Sequence, residues 1–209
     1  MFCYQCSMSA VNGCGIKGQS LGACGKDETL SRLQDIIIFG LKGIAAYRVQ
    51  AEHYGVDCRD VDKVTNEALN FTLTNVNFSL EQHIAMMLKV GGATVTLMQK
   101  LDKAHTDTYG MPSPVKVTQN RVEGKAILVS GHDHHALLKL LEQSAGKGVN
   151  VYTHSEQLPS HAYPELSRFS HLKGNIGKAW FDQKELFSRF NGAIVVNTNC
   201  IVPTIGKDY

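Results

Sequence analysis

The sequence predicts an α + α/β architecture: an N-terminal cysteine-rich loop and three-helix bundle, then a Rossmann-like parallel α/β domain. Three observations predict it. Four cysteines, Cys3, Cys6, Cys14 and Cys24, fall in the first 26 residues as C-x2-C-x7-C-x9-C. Apolar residues then recur every three or four positions as far as Leu101, the signature of amphipathic helices. Beyond Gly110-Met111-Pro112-Ser113-Pro114 the period changes to short apolar runs alternating with helical stretches, which argues a parallel sheet.

Composition narrows the class. The chain has 209 residues, 43% of them hydrophobic and 19% charged, ordinary for a globular chain that buries a core. A net charge of +2 gives no electrostatic reason to invoke nucleic acid or an anionic membrane. No apolar run approaches the length of a membrane span. The chain starts Met-Phe-Cys, without the basic and apolar regions of an export signal, so its 6 cysteines point to a reducing, cytoplasmic setting and to metal chemistry rather than disulfides. The paired prolines favour an extended linker, which places the expected domains at 1–110 and 111–209.

The cysteines come first in the chain. Gly13, Gly15, Gly18, Gly22 and Gly25 surround them and let the backbone bend so that four thiolates converge on one inorganic centre. An iron–sulfur cluster or a zinc ion fits that donor set. The competing reading is four unrelated buried thiols, which a C-x2-C with two further cysteines in a glycine-rich loop makes hard to reach by accident.

Leu30, Leu33, Ile37, Leu41 and Ile44 predict a first helix, capped at Asp27 or Thr29 and ended by Gly55. A second helix is expected over about 60–73 with Val61, Val64 and Ala68 inward, and a turn at Asn75-Val76-Asn77. Ser79 and Gln82 read as a capping box for a third helix whose inward stripe is Leu80, Ile84, Met87, Gly91, Val95, Met98 and Leu101. Gly91-Gly92 weakens its middle unless another backbone packs there. The methionines Met86, Met87 and Met98 read as core.

Past the linker, strands are expected at 126–129, 149–152 and 193–196, and helices at 136–141 and 183–190. Ligands of such sheets bind beyond the carboxyl ends of the strands. His132, Glu156 and Cys200 come just after those ends, and a His, Glu and Cys converging there would make a mixed N, O, S ligand set suited to iron or zinc. Each also has an ordinary structural role. The Asp133, His134 or His135 segment caps a helix, Glu156 is a solvated loop carboxylate, and Cys200 is a small hydrophobe. Cys58 reads as structural.

The opening Met-Phe-Cys-Tyr-Gln-Cys, Ala-Cys-Gly-Lys, Leu33-Gln34-Asp35, Ile127-Leu128-Val129-Ser130-Gly131-His132-Asp133, Gly148-Val149-Asn150-Val151-Tyr152-Thr153-His154 and Asn197-Thr198-Asn199-Cys200 resemble the hybrid cluster proteins, also called prismane proteins or hydroxylamine reductases. The resemblance covers nearly the whole chain. It implies that Cys3, Cys6, Cys14 and Cys24 hold a [4Fe-4S] or [2Fe-2S] cluster. It implies that His132, Glu156 and Cys200 are ligands of a hybrid [4Fe-2O-2S] cluster where substrate reacts. The room for a single helical bundle resembles the family's shorter class. The family's remaining hybrid-cluster ligands, three cysteines and a second glutamate, lie in a further domain, so this chain carries at most three of seven. A C-terminal chain or fragment is the expected source of the rest. The implied chemistry is reduction of hydroxylamine to ammonia and water, or of nitric oxide, with electrons from a redox donor protein and a proton from His154 or His161. The competing expectations are an iron–sulfur electron-transfer or binding module, a fragment inactive without its C-terminal part, and a structural zinc protein.

Overall fold

Asp27 starts the first helix by accepting a hydrogen bond from Leu30 N at 2.8 Å, which satisfies one of the orphan donors of the first turn. Helix α1 runs Glu28–His53, and Gly55, at φ +66°, turns the chain out of it. Helix α2 spans Arg59–Leu73 and α3 spans Leu80–Tyr109. The computed structural model describes residues 3, 5–9, 14, 20–73, 77–198 and 200–203. The turn expected at Asn75 and Val76 lies outside them.

The chain forms two compact units, 1–102 and 103–209. The core of the first is built from Ile37, Leu41 and Ile44 of α1, Val61 and Ala68 of α2, and Met86, Val90, Leu97 and Leu101 of α3. The faces of α1 and α2 match the sequence pattern. That of α3 departs from it. Leu80, Ile84, Val95 and Met98, expected inside, are exposed, while Met86, Val90, Ala93 and Leu97 are buried. Helix α3 carries two apolar stripes at helical spacing, so periodicity alone does not choose between them. The close approach that fixes the face is at Gly40 of α1, where an added Cβ would lie 2.9 Å from Val90 Cγ1. Gly91 and Gly92 are not such a contact, since a methyl on either meets nothing within 4 Å. The capping box is half formed. Ser79 Oγ accepts from Gln82 N at 3.3 Å, but the Gln82 side chain accepts from Asn77 Nδ2 at 2.7 Å.

The second unit holds the sheet. In order it comprises β1 (Lys125–Gly131), α4 (His134–Ser144), β2 (Val149–His154), a 3-10 segment (Ser155–Ala162), α5 (Pro164–Ser167), β3 (Leu172–Asn175), α6 (Gln183–Ser188) and β4 (Ala193–Asn197). All neighbours are parallel, in the order β3-β2-β1-β4. The chain steps outward from β1 to β3 and then returns to the other side of β1, so the order reverses between β1 and β4. The short Leu-Lys-Gly-Asn strand β3 has no apolar run and no alternation, which is why the sequence does not announce it. Leu128, Tyr152 and Phe187 form the core beneath the sheet. Among the described residues no helix is long and apolar enough to cross a membrane.

Candidate metal centres

The first centre is a cavity of about 350 Å3 lined by Cys3, Gln5, Cys6, Met8, Cys14, Ala23, Cys24 and Lys26. All four N-terminal cysteines therefore face one space, although 20 residues lie between the first and the last. Cys3 and Cys14 are buried, Cys24 is half-buried and Cys6 is exposed. All are free thiols. A space of this volume is far larger than a single ion needs; it suits a polynuclear group held at its edges by thiolates. The Ala23 backbone N–H donates to Cys14 Sγ at 3.4 Å, a contact that stabilises thiolate charge. At Cys3 burial alone would raise the thiol pKa. The Gln5 backbone N–H, the Ser31 hydroxyl and the Lys26 ammonium outweigh burial and hold it below its ordinary value. Ser31 is fully buried beside the Cys3 thiol. Four thiols around one cavity are a donor set that fits an iron–sulfur cluster held by Cys3, Cys6, Cys14 and Cys24.

Behind the cavity lies a polar network that sequence patterning does not reveal. Lys26 is only 6% exposed, and Gln34, Asp35 and His83 are buried with it. Lys26 Nζ donates to Gln5 Oε1 and Gln34 Oε1, both at 2.6 Å. Gln34 Nε2 meets His83 Nε2 at 3.1 Å, and Gln5 Nε2 donates to Asp35 Oδ1 at 2.7 Å. These residues sit in helical or loop sequence that reads as solvated surface. The one hint is that Gln34 falls on the same face as Ile37 and Leu41.

The second centre lies beyond the carboxyl ends of β1 and β2. Ser130 is paired with His154 across the two strands, so the residues two further along each, His132 and Glu156, start side by side. Their side chains meet, His132 Nε2 against Glu156 Oε2. Ser155, immediately before Glu156, holds φ +59°, a left-handed conformation unusual for a residue with a side chain. On the other side of β1, the His132 backbone N–H donates to Asn197 Oδ1 at 3.1 Å, bridging the point where strand order reverses. Gly131 makes this possible, because a Cβ there would coincide with that amide oxygen.

Cys200 is placed differently. It is exposed, its backbone N–H donates to Thr198 Oγ1 at 2.9 Å, and its carbonyl accepts from Trp180 Nε1 at 2.8 Å. Among the described residues no three His, Cys, Asp or Glu side chains group closely enough to hold a single metal ion. The pair His132–Glu156 is thus brought together, and Cys200 stands apart from it. The other strand-end histidines are buried neighbours rather than open proton donors. His154 Nδ1 lies 2.8 Å from Ser130 Oγ, and His161 Nε2 lies 2.8 Å from Thr153 Oγ1. Burial holds both imidazoles below their ordinary pKa. Burial, and then His105, push His134 down to about 3. His134 Nδ1 meets Ser160 Oγ at 2.7 Å and Gln157 Nε2 at 3.1 Å, tying α4 to the segment that carries Glu156.

Comparison with known proteins shows the family. The family model for the Prismane/CO dehydrogenase family matches residues 1–87 and 79–209. A hydroxylamine reductase of Moorella thermoacetica is 50% identical over 203 residues, 97% of this chain and 47% of the relative. Hydroxylamine reductases of Methanothermobacter thermautotrophicus and Thermotoga maritima are each 46% identical, again over 97% of this chain, and 47% and 46% of their own length. The chain spans about half the length of these curated relatives. Among solved structures, a nickel-free carbon monoxide dehydrogenase from a Thermococcus species superposes with a TM-score of 0.69 at 14% identity, covering 97% of this chain and 46% of that one. Carbon monoxide dehydrogenase IV of Carboxydothermus hydrogenoformans gives 0.63 at 15% identity, covering 96% and 48%. At such identities the structural likeness speaks for the fold.

Proposed function

The chain belongs to the Prismane/CO dehydrogenase family, and from that premise we propose that it works as an oxidoreductase of the hydroxylamine reductase type. The observation that carries the reading is the gathering of four cysteines around one cavity in a chain so similar to hydroxylamine reductases. Hydroxylamine would take up two electrons and two protons, break its N–O bond, and leave as ammonia and water. Nitric oxide is a second candidate substrate. A redox donor protein supplies the electrons, in the reducing cytoplasm that unpaired thiols suit.

In this reading Cys3, Cys6, Cys14 and Cys24 would hold a [4Fe-4S] or [2Fe-2S] cluster within the 1–110 region. His132, Glu156 and Cys200 of the 111–209 region would contribute to a hybrid [4Fe-2O-2S] cluster. When bound, the two clusters supply one-electron transfer and a Lewis-acidic iron site for the N–O group. The residues of this chain supply the rest. The cavity walls at Cys3 and Cys14 exclude water from two of the four thiolates. Asn197 holds the His132 main chain in place. Glu156, exposed to solvent and touching His132, keeps its carboxylate at the open side of the site. The remaining hybrid-cluster ligands would come from a C-terminal chain or segment.

A second reading is an iron–sulfur electron-transfer or binding module. The separation of Cys200 from the His132–Glu156 pair favours it. An anaerobic assay of hydroxylamine consumption and ammonia formation, driven by a reduced dye, decides between the two. The reductase reading expects one ammonia per hydroxylamine and loss of turnover in Glu156→Ala, with the visible absorption of the N-terminal cluster kept. Turnover undiminished in Glu156→Ala removes that residue from the site, and no turnover when the chain is assayed together with the C-terminal segment that supplies the remaining ligands favours the module.

A further inference from the structure

A buried ammonium needs a counter-charge, because its lost hydration is not recovered from neutral partners alone. Lys26 is 6% exposed on the wall of the four-cysteine cavity. The two acceptors of its Nζ, Gln5 Oε1 and Gln34 Oε1, are neutral amides. The carboxylate of the same network, Asp35, is engaged elsewhere: Gln5 Nε2 donates to it at 2.7 Å and Arg32 Nη1 lies 3.9 Å away. Among the described residues Lys26 forms no ion pair with a carboxylate. Lys26 shares that cavity wall with Cys3, Cys6, Cys14 and Cys24, whose sulfurs are negative once they ligate a metal centre.

We propose that Lys26 is the built-in counter-ion of the four-thiolate centre and sets the reduction potential of the group held there. This rests on the reading that Cys3, Cys6, Cys14 and Cys24 hold an iron–sulfur cluster. Each electron added to such a centre makes it more negative, and a fixed positive charge at the cavity wall favours the reduced form. The two amides hold the ammonium in place. Gln34 is fixed in turn by His83, whose Nδ1 lies 2.8 Å from Ser79 O at the start of α3. The charge is thus anchored to the helical bundle rather than carried on a loose side chain.

The test is a redox titration of the iron-loaded chain followed by electron paramagnetic resonance, comparing wild type with Lys26→Met and Lys26→Arg. Lys26→Met should retain its iron but shift to lower potential, with the ratio of reduced to oxidised centre about tenfold smaller at a fixed solution potential. Lys26→Arg, which keeps the charge, should stay near wild type. If Lys26→Met fails to load iron, Gln34→Glu gives the same reading by placing a carboxylate beside the intact ammonium, and its potential should also fall. An unchanged potential in a loaded Lys26→Met or Gln34→Glu protein overturns the proposal, as does an equal fall in Lys26→Arg. A wild type that binds no iron at all would instead remove the cluster reading on which it rests.

Discussion

His132 and Glu156 meet beyond the sheet because the residues two positions before them, Ser130 and His154, are partners in the β1–β2 ladder. Parallel register carries two separate loops to the same height, and each then needs only one turn to bring its side chain inward. On the β1 side the turn is fixed by Asp133, whose Oδ1 caps α4 by accepting from His135 N at 2.8 Å and Ala136 N at 3.2 Å. On the β2 side it is the left-handed Ser155. The imidazole–carboxylate contact is thus a property of strand register reinforced by two local devices.

Gly131 should tolerate no side chain. Gly131→Ala would push the Asn197 amide from its place and release the His132 N–H. The expected effect is a stability loss of about 1–3 kcal/mol, typical of overpacking, together with loss of turnover in the complete enzyme. Urea denaturation of Gly131→Ala beside the double variant with Asn197→Ala checks this. The second substitution removes the amide that the new methyl would strike, leaves the Asn197 carbonyl carbon at 3.1 Å, and should return part of the stability but not the turnover.

The helical bundle offers a matched pair of glycines on one helix. A Cβ at Gly40 would lie 2.9 Å from the buried, β-branched Val90, whereas a Cβ at Gly43 meets nothing within 4 Å. Gly40→Ala should lower stability by about 1–3 kcal/mol. Gly43→Ala should raise it by ~0.5–1 kcal/mol through helix propensity. Opposite shifts in urea midpoint would support the packing; equal shifts would contradict the close contact of α1 with α3.

Acid should weaken the sheet unit. His161 is buried beside Thr153, and burial alone holds its imidazole below the ordinary value. An imidazole with a folded pKa below its unfolded one takes up protons mainly when the chain unfolds. Its contribution is therefore fully present above about pH 6.5 and is lost as pH falls from there towards the folded pKa. Urea midpoints should drop between about pH 7 and pH 5, with a shallower drop in His161→Gln. An identical slope in the variant would assign the acid sensitivity elsewhere.

The sequence makes some of this legible and hides the rest for physical reasons. The four cysteines, α1 and α2, and the strands β1, β2 and β4 are legible from short-range spacing, which is local information. His132 and Glu156 are found by looking just past the carboxyl end of each strand, and the register brings that pair together. The buried face of α3 is not legible, because Leu80, Ile84 and Val95 repeat as well as Met86, Val90 and Leu97, and only the packing at Gly40 selects. Lys26 is hidden for the opposite reason. A lysine is read as solvated, and only the folded bundle shows two amides closing over its ammonium. Cys200 lies three residues beyond β4 and is exposed, so strand-end reasoning finds its position along the chain and not its direction.

The central claim is that four cysteines spread through the N-terminal loop hold one iron–sulfur cluster. The most direct test is iron, sulfide and zinc content per chain, with the visible spectrum, for anaerobically purified wild type and Cys3→Ser. A cluster held by these cysteines gives about four irons per chain at the N-terminal site, or about two for the smaller cluster, with matching sulfide and broad visible absorption, all lost in Cys3→Ser. A colourless wild type holding about one zinc per chain, or a Cys3→Ser protein with unchanged iron and spectrum, would contradict it.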